Sequence, residues 1–206
     1  MKEDKEKKQK EKLEAEIARL KIMQEFEEKY KAFTYIAGVD EVGRGPLAGP
    51  VVASCVILDR NIQILYINDS KKLSEKKRES LYDEICEKSV AYGIGIVSPG
   101  RIDEINILNA TYEAMKAAIS SLDIKPDILL NDAVHIPDLD IKQVSIIKGD
   151  AKSISIAAAS IVAKVSRDRL MVEYDTIYPE YKFAKNKGYG TKEHISAIKE
   201  HGLCPI

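Results

Sequence analysis

The residues of this 206-residue chain that could do chemistry are carboxylates, and two of them stand side by side. Asp40 and Glu41 close the apolar run Tyr35–Val39 and are followed at once by Gly43, Arg44, Gly45, Pro46, Gly49 and Pro50. Two more acids hold a similar place: Asp132 after Asp127–Asn131 (DILLN), and Asp150 after Val144–Ile147 and Gly149. Strand ends that deliver acids to one edge would suit a metal site, since regular elements hold side chains rigidly. Taken singly, Asp132 and Asp150 read equally well as caps of a turn or helix. No His or Cys pair has metal-ligand spacing, and His135, His194 and His201 have no obvious partner. An oxygen-only donor set selects hard cations, Mg²⁺ or Mn²⁺, over zinc or copper. Two such ions, about 3.5–4 Å apart, can activate a water and stabilise a leaving oxygen in phosphoryl transfer.

The elements that must position these acids can be read in outline. Tyr35, Ile36 and Val39 are strand formers. A regular strand sends Asp40 and Glu41 to opposite faces, so two acids serving one site predict that the strand ends or distorts there. The glycines that follow permit such a turn and a close backbone approach to a ligand. Val51–Leu58 and Ala91–Val97 read as two further strands. A helix starts near Ser74 within the basic cluster Lys71, Lys72, Lys76, Lys77 and Arg78. Arg101–Ser121 has a helical pattern broken near Asn109, with Ile105, Leu108, Tyr112, Met115 and Ile119 on its apolar face. From Ser155 to about Tyr174 a helix opens on small residues, Ala157–Ser160, that let it lie close to the sheet. Asp168 in its later turns reads as a partner for neighbouring cations, outside the site. Tyr178–Thr191 is irregular and interleaves Lys182, Lys185 and Lys187 with Tyr181 and Tyr189, which suits phosphates and sugars. Thr191 begins a last helix.

Composition bounds the rest. Hydrophobic residues make up 45% and charged residues 32%, with a net charge of -1, so a nucleic-acid site must come from local clustering of Lys and Arg. Cys55, Cys86 and Cys204 show no pairing pattern and read as reduced thiols, Cys55 as a core residue. No apolar run approaches the roughly 18–20 residues of a membrane span, and the charged N-terminus lacks a secretory segment. A cytoplasmic monomer is expected. Residues 1–34 read as a charged helical extension to a domain of residues 35–206. In it Leu13, Ile17, Leu20, Met23, Phe26 and Tyr30 form a helical stripe, while the first dozen residues fray. The stripe either packs on the domain or adds a nucleic-acid or partner contact.

The stretch Tyr35–Pro50 (YIAGVDEVGRGPLAGP) resembles the signature of the ribonuclease HII family, the type 2 ribonucleases H. The resemblance continues in order through Asp69–Ile85, Ile105–Ile119, Gly149–Asp168 and Tyr178–Ile206. It implies a ribonuclease H-like α/β fold, a central mixed five-stranded sheet flanked by helices, with a helical C-terminal part. It implies that Asp40, Glu41, Asp132 and Asp150 are the catalytic residues and hold two Mg²⁺ or Mn²⁺ ions. The implied reaction cuts the RNA strand of an RNA·DNA hybrid, and cuts 5′ to single ribonucleotides in duplex DNA, leaving 5′-phosphate and 3′-hydroxyl ends. Gly43, Arg44 and Gly45 match the motif whose backbone contacts the 2′-hydroxyl, and Tyr189 matches the tyrosine that stacks on the junction sugar. Lys71, Lys72 and Lys187 are expected phosphate contacts. Two departures stand out. Asp132 sits in Asn-Asp-Ala where many relatives have Asp-Gly, and relatives commonly continue past the position of Ile206 with a His-Arg segment. This chain therefore reads as shortened or as lacking that basic contact. A metal-dependent phosphatase or DNA endonuclease would use similar acids, and a hybrid-binding protein could keep the groove without the chemistry.

Overall fold

Five apolar segments become one mixed sheet in the computed structural model, which describes residues 2–206. β1 (Ile36–Val42), β2 (Val51–Leu58), β3 (Ser89–Val97), β4 (Ile128–Asp132) and β5 (Lys142–Ile146) lie in the order β3-β2-β1-β4-β5. β1 and β3 flank β2 antiparallel, whereas β4 runs parallel to both β1 and β5. β4 takes in Asp132 itself. β5 ends one residue before the expected apolar run does, and Ile147 lies exposed.

Two long helices, α4 (Pro99–Ser120) and α5 (Ile154–Ile177), cover opposite faces of the sheet. Both come very close to it. A Cβ on Gly38 would stand 2.0 Å from the carbonyl carbon of Ser155 on α5, and one on Gly95 2.0 Å from the Ala114 carbonyl oxygen on α4. Gly38 therefore faces α5, while Ala37 and Val39 pack with Ala110, Ala114 and Met115 of α4. α3 (Glu75–Lys88) lies beside α5 and is capped by Ser74, whose hydroxyl accepts from the Lys77 amide at 3.4 Å. The break in α4 falls at Asn106, not Asn109. Asn106 adopts φ 68°, and its side-chain oxygen accepts from the Leu108 and Asn109 amides at 3.0 and 3.1 Å, restarting the helix. That shift of register leaves Leu108 exposed, while Met115 and Ile119 stay buried.

The N-terminal segment forms α1 (Lys2–Met23) and α2 (Glu25–Lys29). α1 runs through the charged stretch that was expected to fray, with neither Gly nor Pro to interrupt it. Leu13 is exposed, and docking begins at Glu16. The Glu16 carboxylate accepts from the Tyr66 amide at 2.6 Å and pairs with Arg19, which in turn donates to the Ile67 carbonyl at 2.6 Å. Leu20 and Met23 are buried with Ile64 and Ile67. Glu27 accepts from the Ser153 hydroxyl at 2.6 Å and the Ser155 amide at 3.1 Å, at the start of α5. The second half of the stripe is thus a packing stripe. Toward the C-terminus, α6 (Phe183–Asn186) and α7 (Lys192–His201) enclose a ring cluster of Tyr181, Phe183 and His194. Among the described residues no helix is long and apolar enough to cross a membrane.

Candidate active site

β1 does not end or distort at its acids. It keeps antiparallel register with β2 as far as Val42↔Val52. What ends is the parallel pairing, whose last pair is Val39↔Asn131, so Asp40 and Asp132 emerge side by side where β1 and β4 part. Asp40 faces α5, where the Ser160 hydroxyl bonds its carboxyl group. Glu41 starts from the opposite side of the strand, and Arg44 donates to its Oε1 at 3.3 Å. Asp132 Oδ1 accepts from the Gly149 amide at 2.7 Å, which fixes the 3₁₀ turn Gly149–Ala151 carrying Asp150. One sheet edge and one short turn therefore gather all four acids.

Electrostatics mark Asp40, Glu41 and Asp150. Burial pushes the Asp40 carboxyl well above the usual carboxylate range, and the charges of Glu41 and Asp132 push it further. Burial also raises Glu41, with Arg44 opposing. Asp150 is raised by burial and then by Asp69 and Asp132, with Lys71 opposing. Crowded, partly desolvated carboxylates resist ionising together unless a cation joins them. The donors are all oxygen, which fits a hard divalent ion. Among the described residues no three acid, imidazole or thiol side chains close on one point as they stand. An ion here would complete its shell with water or phosphate oxygens, as Mg²⁺ commonly does.

Beside the acids lie two loops. Gly43 takes φ +107°, and a Cβ there would stand 2.5 Å from the Pro50 carbonyl oxygen, so only glycine fits. A Cβ on Gly45 would stand 3.9 Å from Tyr189 Cε1, which sets the Gly-Arg-Gly loop facing the tyrosine of Lys-Gly-Tyr-Gly. The Leu47 amide joins the loops by donating to the Gly188 carbonyl at 2.8 Å. Tyr189 is 40% exposed, and Lys164 Nζ sits 5.8 Å from its ring centroid. Lys187 turns its amine back to the Ala184 carbonyl. Lys71 and Lys72 are exposed on a 3₁₀ turn, Ser70–Lys72, with Lys72 Nζ 3.9 Å from Asp69.

Several participants escaped sequence reading. Asp69 lies against Asp150, yet in the sequence it is one acid heading a lysine cluster. Ser160 bonds Asp40 and stands 2.9 Å from the Ser70 hydroxyl, but its run of small residues signals only close packing. His194 does have a partner: its Nδ1 lies 3.0 Å from the Tyr189 carbonyl oxygen. Asp168 pairs with its sequence neighbour Lys164 at 2.7 Å, as expected, and with the distant Arg78 at 3.8 Å rather than with the adjacent Arg167.

Sheet order and helix placement together define a ribonuclease H-like fold, and solved structures agree. The ribonuclease H2 of Pyrococcus horikoshii OT3 superposes with a TM-score of 0.67 at 30% identity, over 83% of this chain and 90% of that one. Residues 37–206 match the family described as Ribonuclease HII. The ribonuclease HII of Lachnoclostridium phytofermentans is 67% identical over 196 residues, 95% of this chain and 77% of that protein. That of Caldanaerobacter subterraneus subsp. tengcongensis is 61% identical, over 94% of this chain and 81% of that protein. The chain belongs to the ribonuclease HII family of metal-dependent endoribonucleases.

Proposed function

We propose that this protein hydrolyses the RNA strand of RNA·DNA hybrids and also cuts 5′ to single ribonucleotides embedded in duplex DNA. Asp40, Glu41, Asp132 and Asp150 are the catalytic residues and would hold two Mg²⁺ or Mn²⁺ ions. Bound there, the ions supply activation of the attacking water and charge stabilisation at the leaving oxygen. The protein contributes placement. β1 and β4 hold Asp40 and Asp132 in strand register, and the Gly149 amide holds the turn that brings Asp150. Water adds to phosphorus as the bond to the 3′-oxygen breaks, and that oxygen leaves as a hydroxyl, so the ends are 5′-phosphate and 3′-hydroxyl.

The observation that carries the substrate assignment is Gly45 facing Tyr189 beside the acids. Only the 2′-hydroxyl distinguishes ribose from deoxyribose. The bare backbone of Gly43, Arg44 and Gly45 can approach that group, and the Tyr189 ring can stack on the junction sugar. Lys71, Lys72 and Lys187 are assigned to phosphates, Lys187 after its amine leaves Ala184. Residues 35–206 form the catalytic domain and residues 1–34 an N-terminal extension that docks on it from Glu16 onward. We infer a cytoplasmic monomer. The test is cleavage of a labelled DNA duplex carrying one ribonucleotide, with and without Mg²⁺ or Mn²⁺, beside an all-DNA control. Metal-dependent cutting on the 5′ side of the ribonucleotide, control intact, is expected. Cutting of both duplexes would mean a general nuclease, and binding without cutting a hybrid-binding protein.

A further inference from the structure

Arg167 is wholly buried, and no carboxylate lies within ion-pair distance of it among the described residues. Its guanidinium instead spends its donors on main-chain carbonyls. Nε donates to Pro50 at 2.9 Å, Nη2 to Ala48 at 3.0 Å and Nη1 to Lys187 at 2.8 Å. Two of these acceptors end the loop that begins at Gly43, and the third opens the loop that carries Tyr189. Burying a cation without a counter-charge is unfavourable unless hydrogen bonds offset it, and here the offsetting acceptors belong to two separate loops. Besides satisfying those carbonyls, the side chain therefore ties both loops to α5. The flat fork fixes three acceptors at once, which a lysine ammonium cannot reproduce.

The same turn of α5 reaches a third segment. Asp168 pairs with Arg78, and Arg78 donates to the carbonyls of Ser70 and Leu73 at 3.1 and 2.6 Å. Asp168 also pairs with Lys164, whose amine lies over the Tyr189 ring. None of these contacts is made to Asp40, Asp132 or Asp150, which strand register and the Gly149 turn place; the loop meets the acid edge at Glu41, through Arg44.

We propose that Arg167 is a positioning residue that sets the distance between the Gly43–Pro50 loop and the Tyr189 loop, and thereby the selectivity for a lone ribonucleotide. This rests on the junction-reading role given above to those loops. The test compares Arg167→Lys with the parent protein in two measurements. The first is amide hydrogen exchange, which reads local opening. Exchange in 43–50 and 187–191 is expected to quicken about tenfold, from the loss of one or two hydrogen bonds, while β1 and β4 stay protected. The second is the ratio of cutting at a lone ribonucleotide to cutting along an RNA tract, expected to fall about tenfold with metal dependence unchanged. Should Arg167→Lys not fold, Gly188→Ala loads the same junction from the Tyr189 loop, because its Cβ would stand 2.2 Å from the Ala48 carbonyl oxygen. Unchanged loop exchange would overturn the proposal. So would loosened loops with an unmoved ratio, if Tyr189→Ala moves that ratio. If neither variant moves it, the junction reading itself is wrong, and the selectivity role of Arg167 falls with it.

Discussion

The acid edge and the pair of loops beside it are built by opposite means. At the edge, side chains are placed by strand register: Asp40 and Asp132 come together because the parallel pairing stops one residue earlier, at Val39↔Asn131. Between the loops nothing regular intervenes. Their spacing depends on two main-chain bonds, from the Leu47 and Ala48 amides to the Gly188 carbonyl at 2.8 and 3.4 Å, and on a buried guanidinium from α5. The proposed chemistry thus rests on residues placed by strand register, and the proposed substrate reading on loops tied together by a few bonds. This division predicts that damage to the edge abolishes turnover, whereas damage to the loops redistributes it among substrates.

The largest effect should follow Asp40→Asn. Losing a carboxylate that positions the ions removes several kcal/mol of transition-state stabilisation, a rate loss on the order of a thousandfold or more. Circular dichroism should show the fold intact, and near-normal turnover would rule out the metal assignment. Next is Tyr189→Ala. Stacking on an aromatic ring is worth about 1–3 kcal/mol, so cutting at a lone ribonucleotide should fall roughly 10- to 100-fold, and cutting along an RNA tract less. Equal losses on both substrates would erase the contrast drawn between edge and loops.

The third prediction concerns pH without metal. Asp40, Glu41 and Asp150 have carboxyl groups raised first by burial and then by neighbouring acids, so the folded state holds their protons more tightly than the unfolded chain does. Stability of the metal-free protein should therefore decline as pH rises from about 4, the unfolded carboxylate value, through the raised folded values. Added Mg²⁺ should flatten that decline, as should Asp40→Asn, in thermal melts taken across the range. A metal-free protein that gains stability over this window would contradict the crowding of the acids.

The smallest effect tests the departure beside Asp132. Ala133 adopts φ +56°, a conformation that disfavours any residue with a Cβ. Ala133→Gly should relieve up to about 1 kcal/mol, raising the melting temperature by roughly 2–4 °C with cleavage little changed. A lower melting temperature would show that the alanine methyl group contributes packing that outweighs the backbone strain.

Much of the edge was legible because apolar runs that stop on acids betray strand ends through short-range alternation alone. The Gly-Arg-Gly loop was legible too, since glycine and proline report on their own backbone. The continuation of β1 through Glu41 was not, because it depends on β2 carrying the antiparallel register to Val52. Nor was the break at Asn106, where one side-chain oxygen caps the helix three residues ahead of the position the hydrophobic pattern favoured. Asp69, Ser160 and Arg167 escaped for a common reason. Each acts on a partner far along the chain, and local sequence holds no record of distant partners. Residue chemistry and short-range pattern thus establish which groups are available, the four acids and the glycine loop among them. Which carboxylate faces which, and how far Gly45 stands from Tyr189, follow from long-range packing of α5 against the sheet, where burial and close contact set both distance and charge.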